Sequence, residues 1–388
     1  VRYGLCLVLA WGCDSVGDFQ CNAAKSCNPG HCEATGFCSF DDPTCTSGRR
    51  YGDYAGNGLA GTCVGSFQNP DGAPMPDGQL PDGATPDGPA MYNPPWWDPN
   101  FKSRQQLTIT APAAVPSGFQ LGWPLDVEAL IGTGSWDQIR IVRYTSSWQE
   151  MVRVLDANGM HKEWSWIKLA APVAANGTDT SYWLYYDNAS PGSAMNDPGQ
   201  VFDFFDPFAN TTIGSAWSSQ GNVTLQGELL LHGGASIHSV THYNVGQAVD
   251  WALRMPTFDF RFWCGFQIDN GTTGFNDDAP WLIWIARGPN QFIWPEYNDA
   301  SAVNFVGANV QFDTTGFHIY GVERLADRVV YRYDDLDAQE YMMAPLSTAL
   351  VARISNETAN PIHANMMRIR KSVHPYPMVT TGSVETHP

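Results

Sequence analysis

The sequence predicts a mostly β protein in which a small disulfide-rich module precedes two β-sandwich domains. Three observations carry that prediction. Gly 37 and Pro 27 in 388 residues disfavour helices and favour turns. Aromatic residues make up 13%, 15 Trp among them, which is enough mass for packed cores and argues against general disorder. Apolar and polar residues alternate over short segments bounded by turn residues, with no sustained helical periodicity. Lys+Arg 21 against Asp+Glu 39 leaves a net charge of −18. An acidic surface repels phosphate, so a nucleic-acid partner is disfavoured.

At the start, Arg2 precedes the short apolar run Gly4 to Gly12. That run is far below the ~20 residues of a membrane span, and no later stretch qualifies. Residues 1–13 therefore read as an export or lipoprotein signal. Cys13 is the candidate lipidation site, although Ala10 and Trp11 fit the lipoprotein pattern poorly. Residues 14–66 hold Cys21, Cys27, Cys32, Cys38, Cys45 and Cys63 in a stretch too poor in aliphatic residues to build a core. Three disulfides are the expected substitute, with the pairing open among 15 possibilities. Zinc is the weaker reading, because the C-x2-C knuckle is missing. Gly56-Asn57-Gly58-Leu59-Ala60-Gly61 matches a dinucleotide fingerprint in letters only. It lacks the strand before and the helix after, so it reads as a glycine turn. The run from Cys32 through Cys38 and Cys45 to Cys63 resembles a small cysteine-rich module near the N-termini of bacterial secreted proteins.

Residues 67–93 repeat Pro-Asp-Gly at Pro70, Pro76, Pro81 and Pro86, with almost nothing to bury. An extended linker is expected there. Its aspartates are spread singly, unlike the converging oxygens of a calcium loop.

Residues 94–198 open with Trp96-Trp97 and Phe101 and then alternate at Gln105, Leu107 and Ile109. Further strands are expected at Gln138–Ile141, Glu163–Leu169 and Tyr182–Tyr186. Asp137-Gln138-Ile139-Arg140 and Glu163 to Lys168, with the Trp97…Phe101…Arg104 opening and Trp183-Leu184-Tyr185-Tyr186, resemble the bacterial domain of unknown function 2341. Asp187-Asn188 departs from the Gly-Asn that the family tends to have after its paired tyrosines.

Residues 199–388 show a hairpin at Gly221–Leu231. Strands are expected at Trp251–Met255, Phe258–Ile268, Trp281–Ala286, Gly316–Glu323, Val329–Tyr333 and Met366–Lys371. So many short strands without a helix imply a two-sheet sandwich. Gly316 to Glu323, Val329 to Asp334 and the terminal Met367 to Lys371 make the order resemble a concanavalin A-like (laminin G-like) jelly roll. That superfold hosts lectins, hydrolases and spacers alike.

A glycosidase on such a sheet needs two carboxylates about 5–10 Å apart, presented on alternate strand positions. Asp335-Leu336-Asp337 sits in turn-like sequence and Glu296 has no paired carboxylate nearby in sequence. No G-x-S-x-G, HExxH or P-loop is present, so no catalytic residue is assigned and a non-enzyme is favoured. Cys264, in an apolar strand, reads as a buried thiol. His232, His238 and His242 read as surface histidines before metal ligands. Asp269, Asn270, Asp277 and Asp278 are the candidate calcium ligands, the one cofactor considered. Trp281, Trp284, Trp294 and Tyr297 are the candidate ligand-binding rings, with Trp281 and Trp284 on opposite strand faces. The expected function is non-catalytic, lectin-like binding of a neutral polysaccharide or cell-surface glycan, or adhesion, by a secreted or envelope-tethered bacterial protein. A spacer without a ligand is the alternative, and a glycoside hydrolase or lyase the less favoured one.

Overall fold

The computed structural model describes residues 94–156, 164–255, 261–269, 279–287, 292–298, 303–305, 310–311, 314, 316–342 and 346–387, and, nearer the start, 27, 30–33, 37–45, 47–52, 55 and 63–64. The expected signal, Cys13, Cys21 and the 67–93 linker lie outside the described residues. The chain divides into two compact units, Val1–Tyr92 and Asn93–Pro388.

In the first unit, β1 (His31–Cys32), β2 (Cys38–Asp41) and β3 (Arg49–Tyr51) form an antiparallel sheet. Cys27 bonds Cys38 and Cys45 bonds Cys63, and Cys32 is also disulfide-bonded. Among the described residues of this unit, Phe37, Tyr51 and Ala55 gather as a small apolar cluster with Val64 against it, and the covalent staples supplement it.

The second unit begins with β4 (Ser103–Ala111), β5 (Gln120–Pro124), β6 (Arg140–Tyr144), β7 (Trp148–Glu150), β8 (Arg153–Asp156), β9 (Trp164–Lys168) and β10 (Gly177–Tyr186). Strands β4, β10, β6 and β7 make one sheet and β5, β9 and β8 a second. Between them pack Leu107, Ile109, Leu121, Ile141, Ile167, Tyr182 and Leu184, the inward set of each alternation. The strand expected over Gln138–Ile141 begins only at Arg140. Trp136–Gln138 is a 3-10 turn, because the Ser135 side chain caps Asp137 N and Asp137 Oδ1 accepts from Ala194 N at 3.0 Å. Two short helices also interrupt the expected all-strand order, α1 (Val127–Ile131) and α2 (Pro198–Val201), each capped by an aspartate, Asp126 and Asp197. No helix of the described residues is long and apolar enough to cross a membrane.

The larger sandwich follows as β11 (Phe204–Asp206), β12 (Trp217–Gln220), β13 (Val223–Leu225), β14 (Leu229–Leu231), β15 (Ala235–Tyr243), β16 (Gln247–Arg254), β17 (Arg261–Gln267), β18 (Trp281–Arg287), β19 (Phe292–Asn298), β20 (Val303–Phe305), β21 (Val310–Gln311), β22 (His318–Arg324), β23 (Arg328–Tyr333), β24 (Leu336–Met342), β25 (Leu350–Asn356) and β26 (Ile362–Lys371). One sheet runs β13-β14-β26-β16-β22-β23-β24 and the facing one β12-β15-β25-β17-β18-β19-β20. A single core fills the space between, with Trp251, Tyr320, Tyr331 and Met367 from the first sheet and Ile237, Cys264, Trp284 and Ile354 from the second. This is the jelly-roll sandwich that the strand count implied.

The last two strands do not stay in this sandwich. β27 (Met378–Thr381) and β28 (Glu385–Thr386) both pair antiparallel with β4, and Val373, Tyr376 and Val379 pack against the smaller core. The β domain that begins near residue 94 is thus completed by the end of the chain, with the larger sandwich set between its two pieces.

The two sandwiches meet across the outer face of the β16-β22-β23-β26 sheet. There Asp250, Glu323 and Asp335 neutralise Arg332, Arg368 and Arg370. Asp250 bonds Arg368 Nε at 2.7 Å and Arg370 Nε at 2.9 Å, Glu323 reaches Arg370 and Arg332 at 2.7 Å, and Asp335 reaches Arg368 at 2.6 Å. The smaller domain lays Trp166 over Arg368 at 4.1 Å and Tyr376 over Arg332 at 4.4 Å. Asp335, half of the carboxylate pair weighed in the sequence, is therefore spent on structure.

Candidate functional site

With one sheet of the large sandwich covered by the smaller domain, the outer face of the other carries a second set of side chains, all of them buried except the half-buried Trp294. Alternation decides which residues reach it. In Phe262-Trp263-Cys264-Gly265-Phe266-Gln267, the even positions enter the core and Trp263, Gly265 and Gln267 point outward. Strand register then lays out three rows. Ser236, Ser355, Trp263, Ile285 and Trp294 form one; His238, Arg353, Gly265, Ile283 and Glu296 the next; Val351, Gln267, Trp281 and Asn298 the third. At ~4.8 Å between strands and ~7 Å between rows, the patch is roughly 19 Å by 13 Å. Gly265 holds the centre with φ +145°, and a Cβ there would stand 2.3 Å from the Leu282 carbonyl oxygen. No other residue fits that close approach.

The rows combine rings, an amide and charges. Trp281 donates its indole N–H to Glu296 Oε1 at 3.2 Å. Burial and the nearby Arg353 lower the pKa of His238, whose Nε2 lies 3.8 Å from Asp269. Burial likewise lowers Arg353, with Asp269 opposing it. Gln267 is 0% exposed, and neither its Nε2 nor its Oε1 has a hydrogen-bond partner among the described residues. Ser355 Oγ, in the neighbouring strand, is buried and likewise has none among them.

Of the four candidate rings, Trp284 and Tyr297 are corrected. Both face the interior: Trp284 is 0% exposed and donates to the Gly321 carbonyl at 2.9 Å, and Tyr297 packs in the same core. Trp281 does take the opposite face, yet it is buried at 1% among Trp263, Ile283 and Ile285, so it is no open platform. Trp294 is the half-buried ring of that outer cluster. Of the candidate calcium ligands, Asp269 is exposed and faces His238, while Asn270, Asp277 and Asp278 lie outside the described residues. No group of three or more metal-binding side chains gathers among the described residues. His238 is buried rather than at the surface, and His242, beyond a register shift on β15, is one of the charges that lower its pKa.

Trp263, Gln267, Arg353 and Ser355 went unnoticed in the sequence. The alternation through Phe262–Gln267 could have found the first two; nothing marked Leu350–Asn356 as a strand.

No family model matches the chain, and no curated protein matches it. Solved structures match part of the chain. Bacillus licheniformis β-glucanase matches at 17% identity and TM-score 0.35, over 44% of this chain and 98% of the other. The Emp47p carbohydrate recognition domain matches at 13% and 0.35, over 44% and 96%. A structure described with endo-acting O-glycanases of the human gut microbiota matches at 14% and 0.37, over 44% and 100%. At TM-scores this low the likeness assigns neither a ligand nor an activity.

Proposed function

We propose that residues 93–388 form a non-catalytic binding module that takes a neutral polysaccharide on the outer face of the β15-β25-β17-β18-β19 sheet. Gln267 is the observation that carries this reading. An unpartnered buried amide atom costs about 1–3 kcal/mol, and Gln267 leaves both its donor and its acceptor in that state. A carboxamide offers an acceptor beside a donor, the complement of two adjacent sugar hydroxyls. Trp294, the half-buried indole of that cluster, supplies an apolar face for a sugar ring, while Trp263 and Trp281 lie buried beside it. The −18 net charge disfavours polyanionic glycans. Glu296 is the carboxylate on these rows, and none of the other named row positions carries one, which favours binding over two-carboxylate hydrolysis.

The spacer reading is weakened by the chain path, because Trp96 and His387 touch at a ring-centroid distance of 4.9 Å. A unit whose two ends meet adds almost no length to a stalk. The disulfides of the first unit favour an oxidising compartment, hence a secreted or envelope-bound protein.

Titration of the intact protein with soluble neutral polysaccharides tests this. Trp294→Ala should weaken binding by ~1–3 kcal/mol, about five- to a hundred-fold, with thermal unfolding nearly unchanged. A large loss of folding stability instead would make Trp294 a core residue and remove it from the site.

A further inference from the structure

We propose that Arg104 is a clasp that closes residues 93–388 into a loop, so that tension along the chain is held at this residue before it reaches either sandwich. The leading segment 94–101 folds down over the β4-β10-β6-β7 sheet: Trp148 Nε1 donates to the Pro95 carbonyl at 3.0 Å and Tyr185 Oη accepts from Trp97 N at 3.0 Å. The trailing segment lies beside it, with Glu385 paired to Arg104, Thr386 to Ser103, and His387 N donating to the Lys102 carbonyl at 2.9 Å. Arg104 joins the two. It is 2% exposed, donates to the Pro94 carbonyl at 3.1 Å and Tyr185 Oη at 3.0 Å, and holds Glu385 through Nε at 2.9 Å and Nη2 at 2.8 Å. Its guanidinium lies over Trp96 at 4.5 Å and Trp183 at 4.4 Å.

The place matters more than the number of bonds. Because β28 and β27 run antiparallel to β4, pulling residues 93 and 388 apart opens the ladder from one end, loading one pair of residues at a time. Arg104 and Glu385 sit at the end of the ladder that is loaded first. Charge-assisted bonds to a buried guanidinium strengthen that rung, where a plain backbone ladder would unzip.

Single-molecule stretching with handles on residues 93 and 388 of the full chain tests the clasp. The expected first step is short, roughly 60 Å, the extended length of segments 94–101 and 378–387, followed by separate, longer unfolding steps. Arg104→Gln should abolish that first step or move it to lower force, leaving the later ones in place. Glu385 is one-third exposed, so Glu385→Ala removes the trailing half of the clasp from the solvent side while Arg104 keeps the Pro94 carbonyl and the Tyr185 hydroxyl, and should do the same should Arg104→Gln fail to fold. A first wild-type step with the length of a whole sandwich, or a short step that persists at unchanged force in Glu385→Ala, would overturn the proposal.

Discussion

Replacing Asp250 with alanine is expected to destabilise the second unit by about 3–5 kcal/mol, read as a lower urea midpoint. Asp250 is fully buried and is the shared acceptor of Arg368 and Arg370, so its loss leaves three buried guanidiniums to two carboxylates, Glu323 and Asp335, between the sandwiches. Burial by itself would raise the Asp250 carboxyl; Arg370 and Arg368 overcome it and hold the group at about 2. Glu323 is lowered as well, with Arg332 and Arg370 overcoming its burial. Both are carboxylates depressed below their unfolded values of about 4. Their contribution is therefore complete above that range and is lost as pH falls from about 4 toward 2. Unfolding scans should be flat in this respect from neutral pH down to about 5 and fall steeply below 4. An alanine variant as stable as the wild type would mean that the lattice only replaces what apolar packing would supply.

Deleting residues 373–388 is the second large effect. It removes Val373, Tyr376 and Val379 from the smaller core and strips both trailing partners from β4. It also takes away the Tyr376 hydroxyl that accepts from Gly122 N at 3.0 Å, and the ring beneath Arg332. Three partly buried side chains and a strand ladder amount to roughly 5 kcal/mol. Amide exchange in β4 should accelerate most, since that strand loses its neighbour, while β17 and β18 keep their protection. Equal protection throughout would show that residues 94–200 fold without the returning chain.

Much of this architecture was legible because burial follows strand parity. Leu107 and Ile109, the Gly221–Leu231 hairpin and the strand around Trp281 could be read from alternation and turn residues alone. The return of Met378–Thr386 to β4 could not: Met378, Val379 and Val384 look like any short apolar run, and pairing across more than 260 positions leaves no local mark. Leu350–Asn356 was missed for a related reason. Arg353, Ser355 and Asn356 make it look like a polar loop, because those side chains are buried only by the tertiary arrangement. The binding rings were sought where tryptophans cluster in sequence, yet parity sends Trp284 inward, and the informative residue proved to be an amide. Alternation through Phe262–Gln267 gives the glutamine its face and says nothing of its hydrogen bonds. Its two unpartnered atoms are visible only once the strands around it are in place.

The binding face is tested most directly by titrating neutral polysaccharides into the intact protein and into Gln267→Leu, alongside urea unfolding of both. The expected result has two opposite signs. Affinity for the polysaccharide that the wild type binds should fall at least about tenfold, while folding stability rises by ~1–2 kcal/mol because a buried, unpartnered amide is gone. Undiminished affinity in Gln267→Leu, or a wild type that binds no neutral polysaccharide, would contradict the assignment of this face as the ligand site.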